Sequence, residues 1–224
     1  MDEALERARI DKEVALATAA RLAELNRQLE DTDRLKTQLI TQIRDQAAVF
    51  ERLSQQDGLT GLLNRRALDE RLAEEFARAR RHQRPLSVAL ADLDHFKRIN
   101  DTYSHQVGDR VLKVVAQLGR EVVRQSDSLG RYGGEELMLV LPETMAAQAW
   151  ALCEEWRARI AGYDWAPIAA GLRVTLSCGL TDDTAVAHQE RMVAHADRAL
   201  YRAKQGGRNR TCGPDEGRGH TPAA

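Results

Sequence analysis

Residues 1–54 contain neither glycine nor proline, and within them apolar side chains return every seven positions. Leu22, Leu29, Ile43 and Phe50 share one track with Lys36, and Leu25, Leu39 and Leu53 share a second with Thr32 and Gln46. Alternating steps of three and four make a period of about 3.5 residues, which holds a narrow seam on one side of a helix, facing a partner helix. The segment is therefore expected to be a coiled coil joining two copies of the chain into a homodimer. Lys36, Thr32 and Gln46 are polar seam positions that weaken the pairing and set its register. The competing reading is one amphipathic helix lying on its own domain, but the narrow seam with charged flanks favours the coiled coil.

From Asp57 the pattern changes to alternating elements. A helix is expected over about 65–82, with Leu68, Leu72 and Phe76 on one face and Asn64 as cap. A strand follows from Leu86 to Asp92, then a helix over about 107–124. Ser128–Tyr132 and Glu136–Leu141 read as a hairpin turned at Gly133-Gly134, where two glycines suit positive φ. A helix over about 145–161, a strand from Leu172 to Leu180 and a helix over about 189–204, stopped by Gly206-Gly207, complete the order αβαββαβα. That order predicts an α/β (α+β) fold with a ferredoxin-like sheet and flanking helices, preceded by the coiled-coil helix. The expected domains are 1–54 for dimerisation and signalling, 55–210 for the globular part, and a disordered polar tail at 211–224.

Charge and cysteine content remove several function classes. The formal net charge is −1, so no nucleic-acid-binding surface is expected. Cys153, Cys178 and Cys212 are odd in number and widely spaced, matching neither a disulfide framework nor a zinc site. Asp2, Glu3, Glu6, Asp11 and Glu13 rule out a signal peptide over the first 20 residues, and no apolar run nears the ~20 residues of a membrane span. The expectation is a cytoplasmic chain without direct membrane contact.

Four stretches concentrate polar chemistry: Asp57–Arg66, Asp92–Asp101 followed by His105, Gly108 and Asp109, Arg131–Leu137, and Ala196–Lys204 with Gly207-Arg208-Asn209. Asp92 ends an apolar strand, and Glu135-Glu136 begin another after a tight turn. Carboxylates at a sheet rim, without nearby cysteine or histidine ligands, suit Mg²⁺ completed by phosphates and water. Lys97, Lys204 and Arg208 are placed to neutralise phosphates, and glycines at 133 and 134 let a phosphate chain approach the backbone. Together these predict metal-assisted chemistry on a nucleoside triphosphate. Taken singly each signal is weak, since a Gly-Gly-Glu-Glu turn is most often only a hairpin. No Walker loop is present.

In order and spacing, the four stretches closely resemble the GGDEF family of diguanylate cyclases over about residues 55–210. The resemblance implies the nucleotide-cyclase and polymerase palm fold, and condensation of two GTP into cyclic di-GMP with release of pyrophosphate. It implies two Mg²⁺ (or Mn²⁺) per GTP site, held by Asp92, the Leu93 carbonyl, Glu135 and Glu136, with Asp92, Glu135 and Glu136 as the catalytic group. Asn100 and Asp109 match the guanine readers, Phe96 lies in the substrate site, and Lys97, Lys204 and Arg208 match phosphate contacts. Arg124 and Asp127, supported by Arg157, resemble a site where the cyclic di-GMP product inhibits; without the resemblance they read as a surface ion pair.

Two departures stand out. Leu137 replaces the usual Phe and Ser104 the usual Gly before His105; Leu137 is expected to face the core, and Ser104 to be strained if the position holds positive φ. Asp94 is expected to cap the short helix around Phe96, His95 to start it, His105 to order its loop, and Asp57 to contact the coiled coil as a hinge. Two rival functions remain: a catalytically weak receptor for cyclic di-GMP or GTP, and a dimeric scaffold gated by GTP.

Overall fold

The computed structural model describes residues 55–214 throughout, and residues 16, 21–22, 24–30, 32–44, 46 and 50 of the N-terminal segment. It divides into two units, Met1–Ser54 and Gln55–Ala224. In the first unit every described residue is helical, and Leu22, Leu25, Leu29, Leu39, Ile43 and Phe50 are all exposed. The seam residue Thr32 turns its hydroxyl onto the Gln28 carbonyl one turn back (2.6 Å). Leu53 lies outside the described residues. Among those described, no helix is long and apolar enough to cross a membrane.

The second unit runs α1 (Arg65–His82), β1 (Leu86–Leu93), α2 (Phe96–Tyr103), α3 (His105–Val122), β2 (Ser128–Gly133), β3 (Glu136–Pro142), α4 (Ala146–Gly162), β4 (Leu176–Thr181), α5 (Gln189–Gln205) and β5 (Thr211–Cys212). The sheet order is β2-β3-β1-β4-β5. The central β1 is antiparallel to β3 and β4, β2 is antiparallel to β3, and β4 is parallel to β5.

Strand periodicity sorts side chains onto two faces. Ala89, Ala91, Leu93, Leu137, Leu139 and Leu141 pack with α3 and α4 around the fully buried Trp156, whose indole N–H donates to the Val115 carbonyl. Leu86, Val88, Leu90, Met138 and Val140 pack with Leu68, Leu72 and Phe76 of α1 and with Met192, Ala196 and Leu200 of α5. Helices thus cover both faces, which is why β1 is buried at every position. On β4, a Cβ at Gly179 would stand 1.9 Å from the Leu200 backbone nitrogen. The missing side chain lets α5 lie directly on the strand.

Three sequence expectations need correction. The strand expected from Leu172 begins at Leu176, because β1 ends at Leu93 and leaves residues 172–175 no strand to pair with. The hairpin does not turn on two left-handed glycines. A register shift between Arg131 and Gly133 pairs Gly133 with Glu136, so Gly134 and Glu135 close the turn. The positive-φ glycines of the described residues are Gly61, Gly171 and Gly207. The tail expected to be disordered from Thr211 begins instead with β5, whose Thr211 and Cys212 pair with Cys178 and Gly179; residues 215–224 lie outside the described residues.

Candidate active site

The ends of β1, β3 and α5 meet at one rim of the sheet. Asp92, nearly buried, pairs across the backbone with Glu136 of β3 and Ser177 of β4. The next amide, Leu93 N–H, donates to the Glu135 carbonyl (3.4 Å). Lys204, in the last turn of α5, places its ammonium 3.0 Å from Asp92 Oδ1. Burial pushes the Asp92 carboxyl above its ordinary pKa, the Lys204 hydrogen bond and charge pull it back, and the charges of Glu135 and Glu136 push it up again. Gly133 leaves room for the Glu136 carboxylate: a Cβ there would stand 3.0 Å from Glu136 Oε2.

Beside this rim lies a cleft of about 490 Å³, lined in part by Phe96, Lys97, Asn100, Asp109, Arg131 and Glu135. Four of the residues expected to bind substrate therefore share a cavity with one of the expected metal ligands, while Asp92 and Lys204 adjoin at the rim. Among the described residues Asn100 Oδ1 is buried without a hydrogen-bond partner, and a Cβ at Gly108 would stand only 1.9 Å from it. Gly108 admits the amide, whose buried oxygen is left with hydrogen-bonding capacity unused.

The rim fits a hard divalent cation. Among the described residues no three His, Cys, Asp or Glu form a ready-made metal cage. An ion held by one or two carboxylates, with phosphate and water completing its shell, needs no such cage, and this is the mode Mg²⁺ favours. Burial, and after it the charges of Glu135 and Glu136, raise the Asp92 pKa, and positive charge at the same place offsets both.

One assignment changes with the structure. Asp94 does not cap α2. Its buried carboxylate accepts from Thr175 and Ser177 hydroxyls (2.7 Å each) and from the Asn209 amide (3.0 Å), while His95 sits at the helix start with φ 57 and no side-chain cap bond. Asp57 accepts from the amide and hydroxyl of Thr60 (2.8 and 2.7 Å) and from Arg131 (3.2 Å), all within its own unit. Burial would raise the Asp57 carboxyl, but the Thr60 bonds and the Arg131 charge outweigh it and hold it below the usual carboxylate range. Ser104 has φ 118, as its position suggested.

Sequence reasoning assigned no role to Arg131. Its Nε donates to the Gly134 carbonyl (2.9 Å), bracing the turn that presents Glu135. Its place immediately before Tyr132 and the glycine pair was the available signal.

The residues expected to hold product lie on separate elements. Asp127 closes a local turn, accepting from the Arg124 amide (2.9 Å), and borders a second cavity of about 520 Å³ lined also by Leu63, Arg71, Arg120 and Leu129. Arg157 lies on α4, bonded to Glu154 and to Asn209 Oδ1 (2.9 Å). Arg208 is exposed with φ 64 in the turn after α5.

Comparison with known proteins bears on the family. The family model described as "Diguanylate cyclase, GGDEF domain" matches residues 54–210. The chain is 45% identical over 154 residues to diguanylate cyclase DgcP of Pseudomonas aeruginosa, covering 69% of this chain and 23% of that protein. It is 39% identical over 179 residues to diguanylate cyclase DosC of Escherichia coli, covering 78% and 38%. The chain thus spans less than two fifths of the length of these relatives. Among solved structures, the coiled coil and GGDEF domain of DgcB from Caulobacter crescentus in complex with c-di-GMP superposes with a TM-score of 0.76 at 30% identity, covering 83% of this chain and 98% of that one. The active GGEEF domain of a diguanylate cyclase from Vibrio cholerae gives 0.65 at 36% identity, covering 68% and 97%. The sheet with its Gly-Gly-Glu-Glu turn, the family match and these relatives lead to one conclusion: the chain belongs to the GGDEF family of diguanylate cyclases.

Proposed function

We propose that this chain condenses two GTP into cyclic di-GMP and two pyrophosphates. The observation that carries the reading is the cleft that joins Asn100, Asp109, Lys97 and Phe96 to Glu135, beside the Asp92–Lys204 rim. Asn100 Oδ1, buried and unpartnered, accepts from a guanine N–H, and the Asp109 carboxylate accepts from another. Lys97, Lys204 and Arg208 take the phosphates. Asp92, Glu135, Glu136 and the Leu93 carbonyl are the groups that would hold Mg²⁺ or Mn²⁺, two ions per GTP. When bound, such ions polarise the α-phosphate and lower the pKa of the attacking 3′-hydroxyl.

Each chain supplies half of the reaction, so two must face each other. We assign residues 1–54 to holding them together as a homodimer, because the exposed apolar seam from Leu22 to Phe50 needs a partner surface, and a tether raises the local concentration of one domain near the other to about millimolar. Residues 55–210 form the catalytic domain, working in the cytoplasm where GTP is available. Arg124, Asp127 and Arg157 are assigned to a product site that slows turnover. One incubation of the chain with GTP and Mg²⁺, resolved by chromatography, tests the central reading: a cyclic dinucleotide with two pyrophosphates per product is expected. Unchanged GTP with tight cyclic di-GMP binding would instead make the chain a receptor.

A further inference from the structure

The turn after α5 holds two non-glycine residues in a backbone conformation they seldom adopt. Gly207, Arg208 and Asn209 have φ of 111, 64 and 46. Two consecutive non-glycine residues in left-handed conformations persist only where their surroundings over-determine them. Here three elements supply the constraint. The Arg208 amide donates to the Ala203 carbonyl of α5 (3.0 Å). The Asn209 amide donates to the buried Asp94 carboxylate, one residue past the end of β1 (3.0 Å). From α4, Arg157 Nη1 donates to Asn209 Oδ1 (2.9 Å). Glu154 fixes Arg157 through its other nitrogens (2.9 and 3.0 Å) and accepts the Thr211 amide (3.0 Å). Two carboxylates thus capture the backbone amides on either side of Arg210, with Arg157 joining them through Asn209.

We propose that Asn209 is a positioning residue: clamped between Asp94 and Arg157, it sets where Arg208 leaves the backbone and so tunes the hold on the GTP phosphates. The inference rests on reading Arg208 as a phosphate contact. It gives Asp94 a purpose that Asp92, Glu135 and Glu136 do not share, because Asp94 ties the strand carrying Asp92 to the turn carrying Arg208. It also gives Arg157 an effect on GTP binding in the absence of any product.

The test is initial-rate kinetics on the whole chain with GTP and Mg²⁺, with a phosphodiesterase present to remove cyclic product. Asn209→Gly keeps the left-handed backbone and the amide bond to Asp94 while deleting the bond from Arg157. Arg157→Ala deletes the same bond from the other side and serves as the second variant if the first melts early. Arg208→Ala is expected to raise KM for GTP about tenfold, the order of one charge-assisted hydrogen bond. Asn209→Gly and Arg157→Ala are expected to raise it severalfold with kcat within about twofold. Adding Asn209→Gly to Arg208→Ala should change nothing more, since the clamp acts through Arg208. Wild-type KM in both clamp variants, or a full multiplicative effect in the double variant, overturns the clamp and leaves the phosphate reading intact. Wild-type KM in Arg208→Ala overturns the phosphate reading itself, and the clamp with it.

Discussion

Lys204 Nζ stands 3.0 Å from Asp92 Oδ1, joining the last turn of α5 to the end of β1. The contact depends on how closely the helix lies on the sheet, which Gly179 sets one turn earlier at Leu200. It neutralises the most buried of the three carboxylates Asp92, Glu135 and Glu136 without cancelling the cost of burying it, because the Asp92 pKa remains raised.

Replacing Asp92 by Asn should separate stability from activity. With a raised native pKa, Asp92 holds its proton longer folded than unfolded. Its contribution to stability is therefore greatest below the ordinary carboxylate range and declines as pH rises toward the native value. Asp92→Asn removes that decline, so its melting temperature should exceed wild type at neutral pH and converge with it in acid. Turnover should fall by more than about a hundredfold, a loss of roughly 3 kcal/mol of transition-state stabilisation. Near-wild-type turnover would remove Asp92 from the proposed site.

Base selectivity should reside in Asn100 and Asp109. Each reader left without its partner by adenine costs about 1–3 kcal/mol. Truncating either to Ala should lower the preference for GTP over ATP by about tenfold or more in direct competition. Equal use of both nucleotides by the wild type would remove the guanine-reading role.

Asp57 should matter for stability and for the turn it braces through Arg131. Its lowered native pKa means the stabilisation is present above the ordinary carboxylate value and is lost as pH falls through the native one. Asp57→Asn is expected to cost about 1.5–3 kcal/mol at neutral pH, from weakening hydrogen bonds to a charged group, with the difference closing in acid denaturation series. A constant difference across pH would show that the ionised carboxylate is not the stabilising form.

Ser104, at φ 118 and ψ 160, occupies a region open mainly to glycine, and its hydroxyl makes no cap bond at the start of α3. Ser104→Gly should stabilise the fold by about 1–2 kcal/mol, the strain relieved less the entropy glycine brings. Chemical denaturation with an unchanged m-value and a higher midpoint is the expected record; a lower midpoint would mean the strain is small.

The exposed seam predicts its own test. Replacing Leu25, Leu39 and Ile43 by Asp should give monomers in sedimentation, with specific activity that recovers as concentration rises. Variants that sediment as dimers would place dimerisation elsewhere.

How far the chain was readable follows from the range of the interactions. The bounds of α1, the hairpin partners and the inward Leu137 were legible because period and local caps are properties of neighbours along the chain. Asn64 caps α1 through the Ala67 amide three residues on. Leu137 alternates with its strand neighbours and is fully buried. The candidate site was legible as a set of residues through its four stretches, since carboxylates, glycines and lysines keep their spacing whatever the fold.

Asp94 was misjudged because a carboxylate before a helix caps it by local logic. Its actual partners lie 81, 83 and 115 residues away in sequence. Only the assembled fold brings Thr175, Ser177 and Asn209 to one carboxylate, and burial there makes those bonds worth more than a cap. The hairpin turn moved by one residue for a similar reason, as the ladder with β3 decided which glycine paired.

The amino-acid sequence by itself determined the helix and strand periods, the apolar seam of the first 54 residues and the inventory of chemical groups, because each depends on residues within a few turns of one another. Tertiary structure alone decided which groups meet. Asp92 faces Lys204, Arg157 grips Asn209 and Asn100 Oδ1 is left unpartnered because helices pack on both faces of a sheet whose order, β2-β3-β1-β4-β5, is not the order of the chain.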